Sequence, residues 1–511
     1  MNALEARLGT PAGPVLWGVF ALLLAGAAVP VFSTVLPPIF DYPNHLARMY
    51  LLSVGGDRFY SVRWAALPNL AEDLIVPPLA RMMPLALAAK LFLIATFALL
   101  AGGVVWLNRV ATGEWRWWPL AAFLFLYTRT LLWGFLNYLF GVGCALCGAA
   151  LWLTLEDRRA SMRVLASTIA ALICFFSHLA AFAIYGLTII GVELPPALAE
   201  LRARRWRALA RRLAILTPQF LVPGAVFLFL SPHQPGGAIA YGAIWRKTDL
   251  LFSVFDNYNR PFDIVCFAAF SALLIALAVT RRIGLERRLG CAVGLLAAFY
   301  LLLPSQILAG SAADHRLPVA GFLLFVAASA PRFPSRRVAV AAGAFVAAML
   351  VARMAVIEDV WCAADRVYTA VLDGLDRLPR GAALALAHPP GAVNMVSIPL
   401  LHVATLAIVR REAFVPTLFA VPGQQPVELR PPYAALAAAT SPTLLWTGLT
   451  GGDPAAREVA LSSLAGYDYV ALTDRQPVRV PPSGCLTPVF RQKRFQIFAV
   501  SHGGACGPPR S

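Results

Sequence analysis

The sequence predicts an α-helical polytopic membrane protein with about eleven spanning helices, a long first outer loop and a small C-terminal α/β domain outside the cytoplasm. Composition is the first reason: 59% of the 511 residues are hydrophobic and 14% are charged, whereas an average soluble domain carries roughly 25% charged residues. The second reason is that apolar runs near the ~20 residues needed to cross a bilayer recur along the first two thirds of the chain.

Short polar or basic stretches separate the apolar runs, which give these candidate spans: 14–35, 85–108, 117–133, 134–155, 163–178, 179–196, 212–231, 262–280, 289–304, 317–331 and 338–356. The first span is not a cleaved signal peptide, because its apolar run is long and no small-residue cleavage site precedes the polar loop. Residues 163–196 are divided at Ser177-His178, because one long helix would put two strongly basic loops on opposite sides of the membrane.

Arginine clusters in alternate short loops predict the orientation. Basic residues concentrate in the cytoplasmic loops of membrane proteins. The clusters lie at 109–116, 158–163, 202–212, 281–288 and 332–337. The N-terminus is therefore predicted to be cytoplasmic. Because the net charge of +17 is spread over these separate clusters, no single basic face indicates a nucleic acid partner.

The candidate spans and the positions of the arginine clusters together predict two domains. Residues 1–356 form the predicted membrane domain, in contact with the lipid bilayer. The extracytoplasmic side then receives the C-terminal domain and three loops: 357–511, 36–84, 232–261 and 305–316. No internal repeat or low-complexity tract is evident.

Gly/Pro-rich stretches alternate with short β-like runs in the C-terminal domain, at 382–387, 467–472 and 495–500. This alternation predicts a small α/β domain. The apolar segment 396–409 is short for a span and contains a proline and a histidine, so we interpret it as a buried helix of this domain.

Two cysteines of the C-terminal domain differ from those in apolar runs. Cys485 and Cys506 flank the last strand-like run. If the domain is exported to an oxidising compartment, they can form a disulfide.

The first outer loop concentrates polar residues, and long ordered loops are often functional. If a helix begins at Asp41, with Pro43 in its first turn, then Asp41, His45 and Arg48 stand at i, i+4 and i+7. This spacing places a carboxylate, an imidazole and a guanidinium along one helix face. Alternatively, Asp41 only caps an amphipathic helix that rests on the membrane surface through four residues: Leu46, Met49, Tyr50 and Leu52.

The run from Asp41 through Arg48 to Gly56-Asp57 resembles the first periplasmic or luminal loop of the glycosyltransferase C superfamily. This superfamily includes protein O-mannosyltransferases and the bacterial aminoarabinose transferase that acts on lipid A. In these proteins an acidic residue follows the first span, an Arg-Glu or similar pair comes a turn or two later, and a Gly-Asp closes the helix. Asp41, Arg48 and Gly56-Asp57 match this pattern in order and approximate spacing.

A second short match lies at Arg129, which resembles the arginine in the third span of the same superfamily. Three positions depart from the pattern. Tyr42 stands where the family has its second acidic residue, and Met49 follows the loop arginine. The aspartate that often follows the third-span arginine is replaced by the apolar residues 132–134.

The resemblance implies an integral membrane glycosyltransferase of the bacterial inner (plasma) membrane. Such an enzyme moves a sugar from a polyprenyl-phosphate donor to a glycan, lipid or protein acceptor at the outer face. It needs a base for the acceptor hydroxyl and cations for the departing phosphate. Asp41 is the predicted base. The predicted substrate- or phosphate-binding residues are His45, Arg48, Arg129, Arg246, Lys247, Arg260 and Arg316.

Further ionisable residues near the outer face are candidates for a second acid or for a divalent metal site. They are Glu72, Asp73, His178, Asp314 and His315. Asp314 has a simpler interpretation as the ion-pair partner of Arg316. Beyond such a metal, the sequence predicts no cofactor.

Two other functional classes stay open at this point. A transporter or flippase would be expected to bury polar residues within broken spans and to repeat itself between halves. This chain instead concentrates its acids and histidines in outer loops. The third class is a noncatalytic subunit of an envelope-glycan assembly or export system, with the outer domain binding a partner.

Overall fold

A computed structural model describes residues 11–232, 239–307, 312–391, 399–481 and 484–502. Its contacts divide the chain into two compact units, which we call the helical unit and the mixed unit. The helical unit comprises Met1–Pro30, Ala65–Glu72 and Leu91–Glu358. The mixed unit comprises Val31–Trp64, Asp73–Lys90 and Asp359–Ser511. Most of the first predicted outer loop therefore packs in the same unit as the C-terminal domain.

The described residues form these α-helices: α1 Gly13–Ser33, α2 Tyr42–Val54, α3 Ala71–Ala80, α4 Leu85–Thr112, α5 Arg129–Trp133, α6 Leu136–Thr154, α7 Ala160–Ser177, α8 Leu179–Arg202, α9 Trp206–Leu216, α10 Pro218–Phe229, α11 Arg246–Phe252, α12 Arg260–Val279, α13 Arg287–Leu302, α14 Leu317–Ala328, α15 Arg336–Leu375, α16 Leu406–Arg411, α17 Pro431–Ala438, α18 Pro442–Thr450 and α19 Pro454–Ser463. The strands are β1 Tyr60–Val62, β2 Ile283–Leu285, β3 Ser329–Pro331, β4 Leu384–Ala387, β5 Val427–Leu429, β6 Tyr469–Thr473, β7 Leu486–Arg491 and β8 Phe495–Val500. Three segments are 3-10 helices: Trp118–Phe125, Asp314–Arg316 and Val403–Thr405.

Seven of the described helices are long and apolar enough to cross a membrane: α1, α4, α6, α7, α8, α12 and α15. Helices α9 and α10 meet at a bend of 40° and make an eighth candidate if they form one span. Each of these eight coincides with a span predicted from the sequence. The prediction of a polytopic helical membrane protein is therefore confirmed.

The remaining three predicted spans fall on shorter helices. Residues 117–133 contain a 3-10 helix followed by α5, residues 289–304 correspond to α13, and residues 317–331 correspond to α14. At 1.5 Å per residue, α13 and α14 are about 24 Å and about 18 Å long, less than the ~30 Å hydrocarbon core of a bilayer. The count of about eleven spans therefore stays a prediction.

The division of residues 163–196 into two helices is confirmed. Helix α7 ends at Ser177 and α8 begins at Leu179, while His178 between them has an extended backbone. The imidazole Nδ1 of His178 accepts a hydrogen bond of 3.0 Å from the amide of Ala180. This bond satisfies one of the amides that a helix N-terminus leaves without an intrahelical partner.

Glu193 gathers arginines from three of the predicted basic loops onto one buried carboxylate. Arg163 and Arg288 each donate to it at 3.2 Å, and Arg212 forms a further ion pair with it. Trp152 donates its indole N–H at 2.7 Å. These three loops therefore lie on one side of the helical unit, as the positive-inside count requires. Which side is cytoplasmic stays a prediction.

The mixed unit contains a four-stranded sheet in the order β4-β6-β8-β7. Strands β4 and β6 are parallel, whereas β8 runs antiparallel to both β6 and β7. The β-like runs at 382–387, 467–472 and 495–500 are confirmed as β4, β6 and β8. Strand β7 was not predicted, because Pro488 interrupts its pattern; proline is tolerated there since β7 is an edge strand with a bulge.

The apolar segment 396–409 is confirmed as a buried element of this unit, with a later and shorter helix than predicted. The 3-10 turn Val403–Thr405 leads into α16, and Leu406, Ala407 and Ile408 are buried. Residues 396–398 lie outside the described part of the chain. Cys506 also lies outside it, so the disulfide with Cys485 stays a prediction.

The first outer loop is built into the mixed unit by two attachments. Strand β1 pairs with β5 in antiparallel register, with Tyr60 opposite Leu429. The hydroxyl of Tyr60 donates to the carbonyl of Val415 at 2.8 Å and accepts from its amide at 2.9 Å. Both bonds are buried, so they fix the loop against the C-terminal segment.

Helix α2 packs against α16 and the 3-10 turn before it. The side chains of Leu46, Met49 and Leu52 are buried inside the protein. The alternative in which they rest on the membrane surface is therefore wrong: the C-terminal segment of the same unit covers the apolar face instead of lipid.

Candidate functional site

Asp41 occupies the position before α2, and Pro43 lies in the first turn, as predicted. Its carboxylate makes no capping hydrogen bond to the helix; only its carbonyl oxygen accepts from the amide of His45, at 3.0 Å. Burial raises the pKa of Asp41 to about 6, against the opposing charges of His45 and Arg48. The charges of His45 and Arg48 therefore act on the carboxylate of Asp41, as the predicted spacing on one helix face requires. The carboxylate does not cap the helix.

His402 approaches this carboxylate from the C-terminal part of the mixed unit. Its Nε2 lies 3.4 Å from Oδ1 of Asp41, and its ring packs edge-on against Phe40 and Phe419. Burial lowers the pKa of His402 to about 3, so the imidazole is neutral at pH 7. Since Nδ1 has no hydrogen-bond partner among the described residues, we infer the tautomer in which Nε2–H donates to Asp41.

Arg48 and Asp73 form a buried ion pair within the mixed unit. The Nε of Arg48 donates to Oδ1 of Asp73 at 2.7 Å, and Nη2 donates to Oδ2 at 3.4 Å. The side chains are 2% and 0% exposed. This fork geometry holds the guanidinium near Asp41. Both carboxylate oxygens of Asp73, a predicted candidate for a metal ligand or second acid, accept hydrogen bonds from Arg48.

Arg129 belongs to a second cluster, in the helical unit. Its Nε donates to Asp256 at 2.6 Å, and its Nη1 donates to Asp249 at 3.3 Å. Arg260 shares Asp249 at 3.1 Å. The third-span arginine thus has carboxylate partners 120 and 127 positions away in sequence, although the aspartate expected a few residues after it is absent.

Arg353 is a residue that sequence reasoning missed. It is 1% exposed and donates to the carboxylate of Asp263 at 3.1 Å and to the carbonyls of Phe255 and Tyr127 at 3.0 and 3.1 Å. These bonds fasten the segment before α12 next to Arg129. The available signal was a single arginine inside the apolar run 338–356, because ionisable groups at membrane depth usually have a partner or a function.

Lys247 forms an ion pair with Asp314, for which the sequence predicted Arg316 as the partner; Asp314 also interacts electrostatically with Arg316. The Nζ of Lys247 donates to Asp314 at 3.3 Å and to the carbonyl of Leu303 at 2.7 Å. The guanidinium of Arg316 instead donates to the carbonyl of Ala312 at 2.9 Å. Lys247 lies on α11, which packs close to Asp314. The spacing of the two residues along the chain could not indicate this contact.

The remaining candidates for a metal or second acid do not gather. Glu72 is buried in the helical unit, His178 caps α8, and the ring of His315 stacks on Trp133 at 4.7 Å. Burial lowers the pKa of His315 to about 4. Within the described ranges, no three His, Cys, Asp or Glu side chains lie close enough to hold a metal ion. The residues present therefore do not fit a metal site.

Among the predicted cations, Arg246 and Arg260 are exposed and Lys247 is buried. Arg246 begins α11 and forms no ion pair with any residue that the structure describes. Arg246 and Arg260 are the two arginines of the segment 239–261, and both are exposed.

No protein-family model matches the chain, and no curated protein matches its sequence. The fold is shared with ArnT from Cupriavidus metallidurans. The crystal structure of that protein bound to undecaprenyl phosphate superposes with a TM-score of 0.54 at 14% identity, covering 96% of this chain and 99% of ArnT. The apo structure gives a TM-score of 0.51 at 14% identity, with 94% and 98% covered. The resemblance predicted from the sequence is confirmed at the level of the fold, which this chain shares with ArnT.

Proposed function

We propose that this chain is an integral membrane glycosyltransferase that moves a sugar from a polyprenyl-phosphate donor to an acceptor at the outer face of the membrane. The observation that carries the proposal is Asp41, a largely buried carboxylate that is not used as a helix cap and whose pKa is raised to about 6. The fold of ArnT, whose crystal structure contains undecaprenyl phosphate, supports a lipid-linked donor.

Asp41 acts as the general base in this proposal. It accepts the proton of the acceptor hydroxyl as that oxygen bonds to the anomeric carbon of the sugar. The bond from that carbon to the phosphate oxygen breaks, and polyprenyl phosphate leaves with the electron pair. A carboxylate with a pKa of about 6 is mostly ionised at pH 7 and binds a proton more strongly than an ordinary aspartate.

Within the helical unit, the guanidinium groups of Arg129, Arg246 and Arg260 are the groups proposed to bind phosphate. Asp249 and Asp256 orient two of them, which reduces the side-chain freedom lost when an anion binds. Arg48 is less suited to phosphate, because two of its N–H groups already donate to Asp73. Its role is to keep a positive charge beside Asp41.

The test uses the purified full-length chain, reconstituted with undecaprenyl-phosphate-linked pentoses and hexoses in bacterial membrane lipids. We expect release of undecaprenyl phosphate from at least one donor. Because the base must be ionised, the rate should rise with pH through about 6 and then level off. Transport of intact donor without release would support the transporter alternative, and no reaction with any donor would contradict the enzyme.

His402 is proposed as a positioning residue for Asp41. His402→Phe removes the N–H donor that favours the ionised carboxylate, so the midpoint of the pH profile should move upward by up to about one pH unit. The rate on the alkaline plateau should change little. His402→Gln keeps an N–H donor and should leave the midpoint near that of the wild type. An unchanged midpoint in the phenylalanine variant would remove this role.

A further inference from the structure

A cavity of about 430 Å³ lies in the helical unit among α1, α12, α15 and the 3-10 helix Trp118–Phe125. Its walls are almost entirely apolar, with Leu23, Leu124, Leu273 and Val346 among them. The volume lies in the range of about 300–1,000 Å³ that is usual for small-molecule sites. Because α1, α12 and α15 are candidate membrane spans, membrane lipids can reach this cavity.

Three arginines are close in sequence to residues that line the cavity. Phe333 and Val340 line it. Arg332 directly precedes Phe333, and Arg336 and Arg337 lie about one helical turn before Val340. All three arginines are exposed.

The pairing of β2 with β3 brings two more arginines close to Arg332. The amide of Arg332 donates to the carbonyl of Arg282 at 2.7 Å, so Arg281 and Arg282 join the group. Within the described part of the chain, none of the five forms an ion pair. By contrast, Arg163, Arg212 and Arg288 are engaged by Glu193. The five arginines are therefore available to an external anion.

The geometry points to a binding site for an anionic phospholipid, with one acyl chain in the cavity and the phosphate of the headgroup on the five arginines. Apolar walls would leave the polar groups of a water-soluble ligand without partners, which is costly. A chain of methylenes has no such cost, because it makes the same apolar contacts in the cavity that it makes in the bilayer interior. Basic pockets between spanning helices favour anionic headgroups over zwitterionic ones. The site is independent of the proposed transfer reaction.

The experiment measures lipid binding to the purified full-length chain by native mass spectrometry. Palmitoyl-oleoyl phosphatidylglycerol is compared with phosphatidylcholine that has the same chains. We expect the anionic lipid to bind at least about five-fold more tightly. The double variant Arg332→Gln with Arg336→Gln should lower the affinity for phosphatidylglycerol roughly five-fold for each arginine removed. Its affinity for phosphatidylcholine should not change. The matched control is Arg158→Gln with Arg159→Gln, which removes the same charge from another basic loop.

A second variant tests the cavity itself. Gly343 lines the cavity, and a Cβ added there meets no atom within 4 Å. Gly343→Leu should therefore place a side chain in the cavity, and it should weaken the binding of both lipids by taking up space that the acyl chain needs. Gly26→Leu is the control, since Gly26 is equally open in α1 but does not line the cavity.

Three results would overturn the inference. Equal affinity for the two lipids would remove the headgroup site. Equal losses in the two double-arginine variants would assign the preference to overall surface charge. Undiminished binding by a folded Gly343→Leu variant would show that the chain lies elsewhere, and if that variant does not fold, the arginine pairs still decide.

Discussion

Replacing Asp41 with asparagine is expected to slow sugar transfer by roughly 10²–10⁴-fold, the usual effect of losing a general base. The amide has nearly the same shape as the carboxylate, but it cannot take the proton of the acceptor hydroxyl. Its oxygen can still accept the hydrogen bond from His402, so the loss should not come from unfolding. The measurement is the rate of undecaprenyl phosphate release at equal amounts of folded protein.

The same variant should be at least as stable as the wild type, which separates a catalytic role from a structural one. The folded state raises the pKa of Asp41 from 3.8 to about 6 and so favours the neutral carboxyl. Ionisation therefore opposes folding above about pH 6 by up to about 3 kcal/mol, and this cost disappears as the pH falls towards about 4. Asparagine has no such cost. The gain in thermal stability should thus be largest at neutral pH.

The control for Asp41→Asn is Asp453→Asn. Asp453 caps α19 through its carboxylate, and asparagine caps helices about as well, so the control removes one negative charge from the same unit at little structural cost. Its transfer rate should stay within about two-fold of the wild type. If Asp41→Asn kept a comparable rate, or if it lost activity together with its thermal stability, Asp41 would not be the base.

Arg48→Met is expected to destabilise the mixed unit by roughly 3–5 kcal/mol, the usual cost of removing one partner of a buried ion pair. The carboxylate of Asp73 is 0% exposed, so water cannot replace the lost guanidinium. Thermal unfolding of the purified chain measures the effect. Adding Asp73→Asn to Arg48→Met removes the stranded charge and should recover a large part of the loss.

The control for this pair is Arg380→Met in the same unit. Arg380 pairs with Glu412 at 2.9 Å, but the two side chains are 72% and 46% exposed. Exposed pairs contribute less than about 1 kcal/mol, so this variant should unfold close to the wild-type temperature. Equal losses from Arg48→Met and Arg380→Met would mean that burial of the Arg48–Asp73 pair has no special weight.

Local patterns were sufficient for α2 and for the predicted spans that coincide with long apolar helices. A helix that crosses a bilayer needs a long apolar run. The long apolar runs in the sequence were therefore enough to predict α1, α4 and α6. The spacing of Asp41, His45 and Arg48 placed them on one helix because helical periodicity is a property of neighbouring residues. The short helices α13 and α14 show the limit of this reasoning, since hydrophobicity does not determine where a helix ends.

Partners distant in sequence could not be predicted. His402 lies 361 positions after Asp41, in a segment whose apolar pattern indicated only burial. Asp256 reaches Arg129 because the segment before α12 folds back, fastened by Arg353. These contacts depend on tertiary folding, and a single sequence without a structure contains no signal for such pairings.

The pairing of β1 with β5 has a consequence for biogenesis. The two strands are separated by more than 360 positions, so a ribosome finishes almost the whole chain before β1 finds its neighbour. Until then Asp41 lacks His402 and the cover that raises its pKa, so the nascent chain holds an aspartate with an ordinary pKa. A polypeptide that ends before His402 would insert its spans into the bilayer but lack the surroundings that raise the pKa of Asp41.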